Sequence, residues 1–222
     1  MLKNLYNGYM LFLQKKESEP LLKQINPVVR YLMLSDNLVL GALGMFSPFL
    51  VLFVEKHIDG GNEFVAGIAL SIYLASKSLL QIPVATTIDK IKGEKDDYVL
   101  LIGFSFISAF LNISLLSVSK IWHLYAFEFL SGLSAAVTYP AFMAIFTKHI
   151  DKGMEGTEWG VYYTLTNLCG AFLAGLGGYI AKNYGLPSLI IATTILNFIG
   201  AIFLIPIRFY IKEFKKKGGF PL

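Results

Sequence analysis

Apolar residues gather into six long runs separated by short polar stretches: Tyr31 to Val54, Phe64 to Ile88, Tyr98 to Val118, Trp122 to Phe146, Trp159 to Ala181 and Pro187 to Ile207. Each run holds about 20 residues or more, enough at a helical rise of roughly 1.5 Å per residue to cross about 30 Å of hydrocarbon. A soluble amphipathic helix alternates polar and apolar faces, whereas these runs are apolar around their circumference, so lipid is their expected solvent. The pattern predicts an all-α membrane protein with six transmembrane helices. The first run is too long for the apolar region of a secretory signal and lacks a small-residue cleavage site at its end, so it too is read as a spanning helix.

Before the first run, Leu2, Leu5, Tyr6, Tyr9 and Leu13 recur at helical spacing beside Lys3, Lys15 and Lys16, which predicts an interfacial helix over Leu2 to Lys16. Pro20 and Pro27 separate it from the first span, and Lys215, Lys216, Lys217, Gly218 and Gly219 read as a basic tail able to touch anionic lipid.

Composition sharpens this picture. Of 222 residues, 55% are hydrophobic and 15% charged, against about a quarter charged in soluble domains, and the mean hydropathy is +0.60. The net charge of +4 does not point to nucleic acid, because the cations sit in the gaps and tails. Lys3, Lys15, Lys16, Lys23, Arg30, Lys90, Lys92, Lys95, Lys148, Lys152, Arg208, Lys212, Lys215, Lys216 and Lys217 fall on one side of the six runs. Lys56, Lys120 and Lys182 fall on the other, and Lys77 lies within a run. By the positive-inside rule both termini are cytoplasmic. Trp122 and Trp159 sit at run ends, where interfacial aromatics are expected.

Sliding the chain on itself by 92 positions superimposes the first three runs on the last three. Asp36 falls on Glu128 and Pro48 on Pro140, while Ile88, Lys90 and Gly93 fall on Ile180, Lys182 and Gly185. Three crossings per copy is an odd number, so the copies must be inserted in opposite senses, as two inverted three-helix repeats. The organisation expected is a cytoplasmic interfacial segment at 1–27, a first repeat at 28–118, a second at 119–210 and a basic cytoplasmic tail at 211–222.

With the six runs and the loop Ala85-Thr86-Thr87-Ile88-Asp89-Lys90-Ile91-Lys92-Gly93-Glu94-Lys95 in view, the chain resembles one six-helix half of a major facilitator superfamily transporter. That superfamily carries there a glycine, three residues, an aspartate, a basic residue, any residue, a glycine and two basic residues. Asp89 and Lys90 occupy the acidic and basic positions, Gly93 arrives one residue late, Ala85 replaces the first glycine and Glu94 interrupts the basic pair. The loop from Thr147 to Trp159 is similar to the basic, helix-initiating loop of such proteins. The resemblance implies a gating role for Asp89, Lys90 and Gly93. It also implies that a second six-helix unit completes the cavity, as a homodimer or a pairing with another half, with the first and fourth spans facing the shared space.

Three ionisable residues lie inside the runs: Asp36, Lys77 and Glu128. A charge at bilayer depth costs at least about 2.5 to 3.5 kcal/mol, so such residues face a cavity or pair with one another. One reading joins Asp36 and Lys77 in a structural ion pair; the other makes these residues the substrate or proton site. Pro48 and Pro140 each remove a backbone hydrogen bond within a run and are expected at helix kinks. Gly170, Ala174 and Gly178, and Gly132, Ala136 and Pro140, form small-residue stripes for helix contact. Asn112, Asn167 and Asn197 suit interhelical hydrogen bonding, and Tyr73, Tyr139, Tyr162 and Tyr163 are candidate cavity aromatics.

Cys169 is the single cysteine and is expected to pack. His57, His123 and His149 make no metal cluster, and no phosphate loop, nucleophile elbow or zinc-protease motif occurs, so neither a metal, a cofactor nor an enzyme is predicted. The function expected is gradient-driven transport of a small molecule or ion across a prokaryote-like inner cell membrane by alternating access, with membrane lipid as solvent partner. The alternative is a non-transport six-helix scaffold or partner subunit.

Overall fold

The computed structural model describes residues 21–91 and 93–211; the predicted helix over Leu2 to Lys16 and the Lys215–Lys217 tail lie outside them. Regular structure among the described residues is helical, apart from an isolated bridge joining Asp59 and Lys120. In chain order the helices are α1 (Leu21–Gln24), α2 (Pro27–Phe46), α3 (Leu50–His57), α4 (Glu63–Lys90), α5 (Lys95–Ser114), α6 (Ile121–His149) and α7 (Glu155–Phe203). Short 3-10 turns occupy Ser47–Phe49, Leu115–Ser117 and Ile205–Phe209.

Local chemistry explains where these helices begin and break. Asn26 Oδ1 accepts a 2.9 Å hydrogen bond from the Val28 amide, and Pro27 opens α2 where no amide donor is needed. Asn62 caps α4 in the same way through the Val65 amide at 3.0 Å. Pro48 lies in the 3-10 turn that separates α2 from α3, so the α-helical hydrogen-bond pattern of the first apolar run is interrupted there. Pro140 lies inside α6, which continues as α-helix from Ile121 to His149.

The 49 residues assigned to α7 would extend about 74 Å as a straight helix, more than twice a hydrocarbon core of about 30 Å. The backbone leaves helical geometry at Gly185 (φ 83°, ψ 169°), a conformation open to glycine and costly for a residue with a Cβ. Pro187, two residues on, suits the first turn of the helical length that follows. The fifth and sixth apolar runs lie on either side of this break.

In the bundle α2 lies along α7, α4 along α6, and α5 contacts both α6 and α7. Two apolar clusters hold it together. One, with Val29, Leu32, Ile145, Phe146 and Leu204, lies toward the end carrying the 89–97 loop; the other, with Met45, Val54, Leu124, Leu189 and Ile190, lies toward the opposite end. Lipid is as apolar as these side chains, so close packing rather than escape from water is what favours their association. Phe64, Leu79, Ile82, Phe110, Leu168 and Phe172 are exposed on the outside, as a lipid-facing surface requires.

Close helix approach uses different small residues from those expected on α7. Gly170 and Gly178 have room around them, whereas a Cβ on Gly177 would stand 2.5 Å from the Met45 carbonyl oxygen. The contact face is therefore turned one residue, about 100° around the helix, because the partner is the end of α2 at Met45. On α6 the expected stripe does pack inward at Gly132 and Ala136, both buried. A Cβ on Gly132 would collide with Ser76 Oγ and lie 2.6 Å from the Tyr73 carbonyl oxygen and 3.2 Å from the Lys77 amide.

Candidate functional site

Between the two apolar clusters lies a cavity of about 660 Å³. Asp36 from α2, Lys77 from α4 and Glu128 from α6 all line it, together with Tyr73, Tyr139, Tyr162, Asn112 and Asn197. These residues, separated by as many as 161 positions in sequence (Asp36 and Asn197), are thus gathered around one space by the pairing of α2 with α7 and of α4 with α6. Tyr163 and Asn167 are not among the lining residues.

Asp36 is held by the neighbouring helix. Tyr162 Oη donates to Asp36 Oδ2 at 2.5 Å, Thr166 Oγ1 donates to Asn37 Oδ1 at 2.6 Å, and Cys169 Sγ donates weakly to the Asn37 carbonyl at 3.4 Å. Tyr162, Thr166 and Cys169 recur at three- and four-residue spacing on α7, so one face of that helix meets the Asp36-Asn37 step of α2 as a polar seam. Cys169 takes part in this packing, beside the spot where a Cβ on Gly41 would point.

Lys77 is not ion-paired with Asp36 within 4.0 Å, so the two are not locked as the structural reading of the sequence would have it. Lys77 is in electrostatic reach of Asp36, and its Nζ sits 5.2 Å from the centre of the Tyr139 ring, a cation–π contact. Glu128 is 8% exposed and lies in electrostatic reach of Tyr73. Among the described residues its carboxylate has no hydrogen-bond or ion-pair partner. The cavity therefore presents a carboxylate bonded to a tyrosine, an ammonium over an aromatic face, and a second carboxylate with vacant acceptor positions. That arrangement can hold a proton or cation at either acid and an anionic group at Lys77.

A second polar cluster joins the 89–97 loop to the end of α6. Gly93 has a positive φ of 124°, and its carbonyl accepts a 2.8 Å hydrogen bond from Lys148 Nζ. The same ammonium makes a 2.7 Å ion pair with Asp97 Oδ2, and His149 Nε2 stands 3.5 Å from Glu94 Oε2. Lys90 is exposed, while Asp89 lies in electrostatic reach of Asp97. The loop is thus fastened through Gly93, Glu94 and Asp97. Sequence reading missed Asp97 and Lys148 as a pair, although an acid one residue before an apolar run and a lysine at the end of another run on the same side were the available signals. Glu158, fully buried, accepts from the Asp151 amide at 3.2 Å and was also missed.

Long apolar helices enclosing a charged cavity define a polytopic membrane protein. The family model for the Major Facilitator Superfamily matches residues 32–220, and the chain belongs to that superfamily. An uncharacterized transporter of Buchnera aphidicola is 33% identical over 101 residues, which make up 44% of this chain and 25% of that protein. The crystal structure of the POT family transporter PepTSo superimposes with a TM-score of 0.64 at 15% identity, covering 83% of this chain and 38% of that one. The matches thus span well under half the length of either relative. These likenesses are to transporters, and none is to an enzyme.

Proposed function

We propose that the chain is a six-helix unit of a gradient-driven secondary transporter for a small solute, with Asp36, Lys77 and Glu128 as the substrate or proton site. The observation that carries this reading is the convergence of all three intramembrane charges on one cavity, with Lys77 and Glu128 in no ion pair there. A charge kept at bilayer depth without a partner is retained at a cost of a few kcal/mol, and a bound ligand or proton is what offsets that cost.

In this reading the chain crosses the membrane six times, as two inverted three-helix repeats with both termini in the cytoplasm of a cell whose inner membrane it occupies. Support comes from Gly93 and Gly185, 92 positions apart, which both adopt positive φ (124° and 83°) at matching ends of α4 and of the first length of α7. A second six-helix unit closes the cavity: another copy of this chain related by a two-fold axis along the membrane normal, or a different half. Alternating access then proceeds by rocking one bundle against the other around the site. The Lys148 contacts to Gly93 and Asp97 form on one face only and act as its gate, with Asp89 and Lys90 flanking them.

The test is uptake into proteoliposomes under an imposed proton or sodium gradient, screened over anionic, cationic and zwitterionic solutes. Asp36→Asn, Lys77→Met and Glu128→Gln should each abolish gradient-driven accumulation while the purified variants keep their helical content. Undiminished accumulation in all three would refute the assignment, and crosslinking in native-like membranes that yielded monomers only would refute the two-fold assembly.

A further inference from the structure

Only three lysines fall on the side of the chain opposite the Lys-rich loops: Lys56, Lys120 and Lys182. Two of them, 126 positions apart, converge on one pocket of about 540 Å³ beside the Gly185 break. Lys56 and His57 come from the last turn of α3, and Lys182 from the turn of α7 just before the chain leaves helical geometry. Phe49, Leu52 and Leu186 supply apolar wall to the same pocket. No carboxylate lines it, and neither Lys56 nor Lys182 has an ion-pair partner among the described residues.

Two like charges brought together repel, and among the described residues no carboxylate lines the pocket or pairs with either lysine. Where cations are otherwise scarce, their convergence calls for an anion from outside the chain. The apolar wall narrows the choice. A free inorganic anion gains nothing from Phe49, Leu52 and Leu186, whereas an anionic amphiphile sets its charged head against the lysines and its hydrocarbon along that wall. The pocket also lies at the ends of membrane-crossing helices, the depth at which phospholipid headgroups reside.

We infer that the pocket framed by Lys56, His57 and Lys182 is a binding site for an anionic phospholipid of the leaflet opposite the Lys-rich loops. The lipid wedges between the end of α3 and the Gly185 break, and so ties the first apolar run to the connection between the fifth and sixth. It is separate from the charged cavity, shares no lining residue with it, and does not depend on what that cavity carries.

The test is thermal unfolding of the full chain in detergent micelles titrated with phosphatidylglycerol, with phosphatidylcholine and inorganic phosphate as separate arms. Phosphatidylglycerol should raise the melting temperature of the wild type, and neither other arm should match it. A headgroup-facing lysine is worth roughly fivefold in affinity, so Lys56→Gln with Lys182→Gln should raise the half-maximal lipid concentration by about 25-fold. Lys120→Gln, which removes the third lysine of that side, should leave it unchanged, and Lys56→Arg with Lys182→Arg should restore it. Equal response of wild type and the double glutamine variant, or a full shift with inorganic phosphate alone, would overturn the proposal.

Discussion

Replacing Gly132 by alanine adds one methyl group at the closest approach of α6 to α4. The new Cβ collides with Ser76 Oγ and stands 2.6 Å from the Tyr73 carbonyl oxygen. Ser76 Oγ now donates to that same carbonyl at 3.0 Å, so turning the hydroxyl aside gives up a hydrogen bond worth about 1 kcal/mol. The backbone carbonyl cannot turn aside. Bringing it to an ordinary contact of 3.4 Å moves α4 by about 0.8 Å, and overpacking of this kind costs about 1 to 3 kcal/mol. Alanine recovers up to about 1 kcal/mol as a better helix former, leaving a net loss of about 1 to 4 kcal/mol. Gly103 is the control: it lies within α5 with nothing within 4 Å of its ideal Cβ, so Gly103→Ala should be neutral or stabilising. Unfolding of both variants in the same detergent, followed by circular dichroism, measures the difference. Because Tyr73 and Lys77 ride on the displaced segment, uptake by Gly132→Ala should fall as well. Equal stability of the two alanine variants would refute the close-contact reasoning.

Tyr162→Phe deletes the hydroxyl that bonds Asp36 without removing the ring; hydrogen bonds to charged groups contribute about 1.5 to 3 kcal/mol, so the variant should lose stability on that order, and uptake should drop tenfold or more. Unaltered uptake would place Asp36 outside the transport cycle. Lys148→Met strips the partner from Asp97, whose side chain is 2% exposed while that of Lys148 is 42% exposed; a loss of about 1.5 to 3 kcal/mol is expected. Adding Asp97→Asn should recover part of it, and a double-mutant cycle with no coupling would refute the fastening of the loop.

The candidate site is partly legible in the sequence. Charge is so costly at bilayer depth that Asp36, Lys77 and Glu128 stood out by position within apolar runs, without reference to neighbours. What joins them was not legible. Asp36 is bonded by Tyr162 rather than by Lys77, because α2 lies along α7 and the face carrying Tyr162, Thr166 and Cys169 meets it. Axial depth, readable from the helical rise, says nothing about which helices are adjacent. The same limit explains Gly177: a stripe of small residues marks a helix able to pack closely, but one residue of rotation decides which member touches, and the partner sets that rotation.

Hydropathy and charge by themselves determined that this chain lives in lipid, since a backbone surrounded by hydrocarbon must satisfy its hydrogen bonds internally and therefore forms long helices. They also placed the apolar runs and the three intramembrane charges. The tertiary structure alone decided that those charges share one cavity, that Lys148 fastens Gly93 and Asp97, and that Lys56 and Lys182 meet beside Gly185. Each of these depends on contacts between helices far apart in sequence, where packing geometry, not the order of residues along any one run, selects the neighbours.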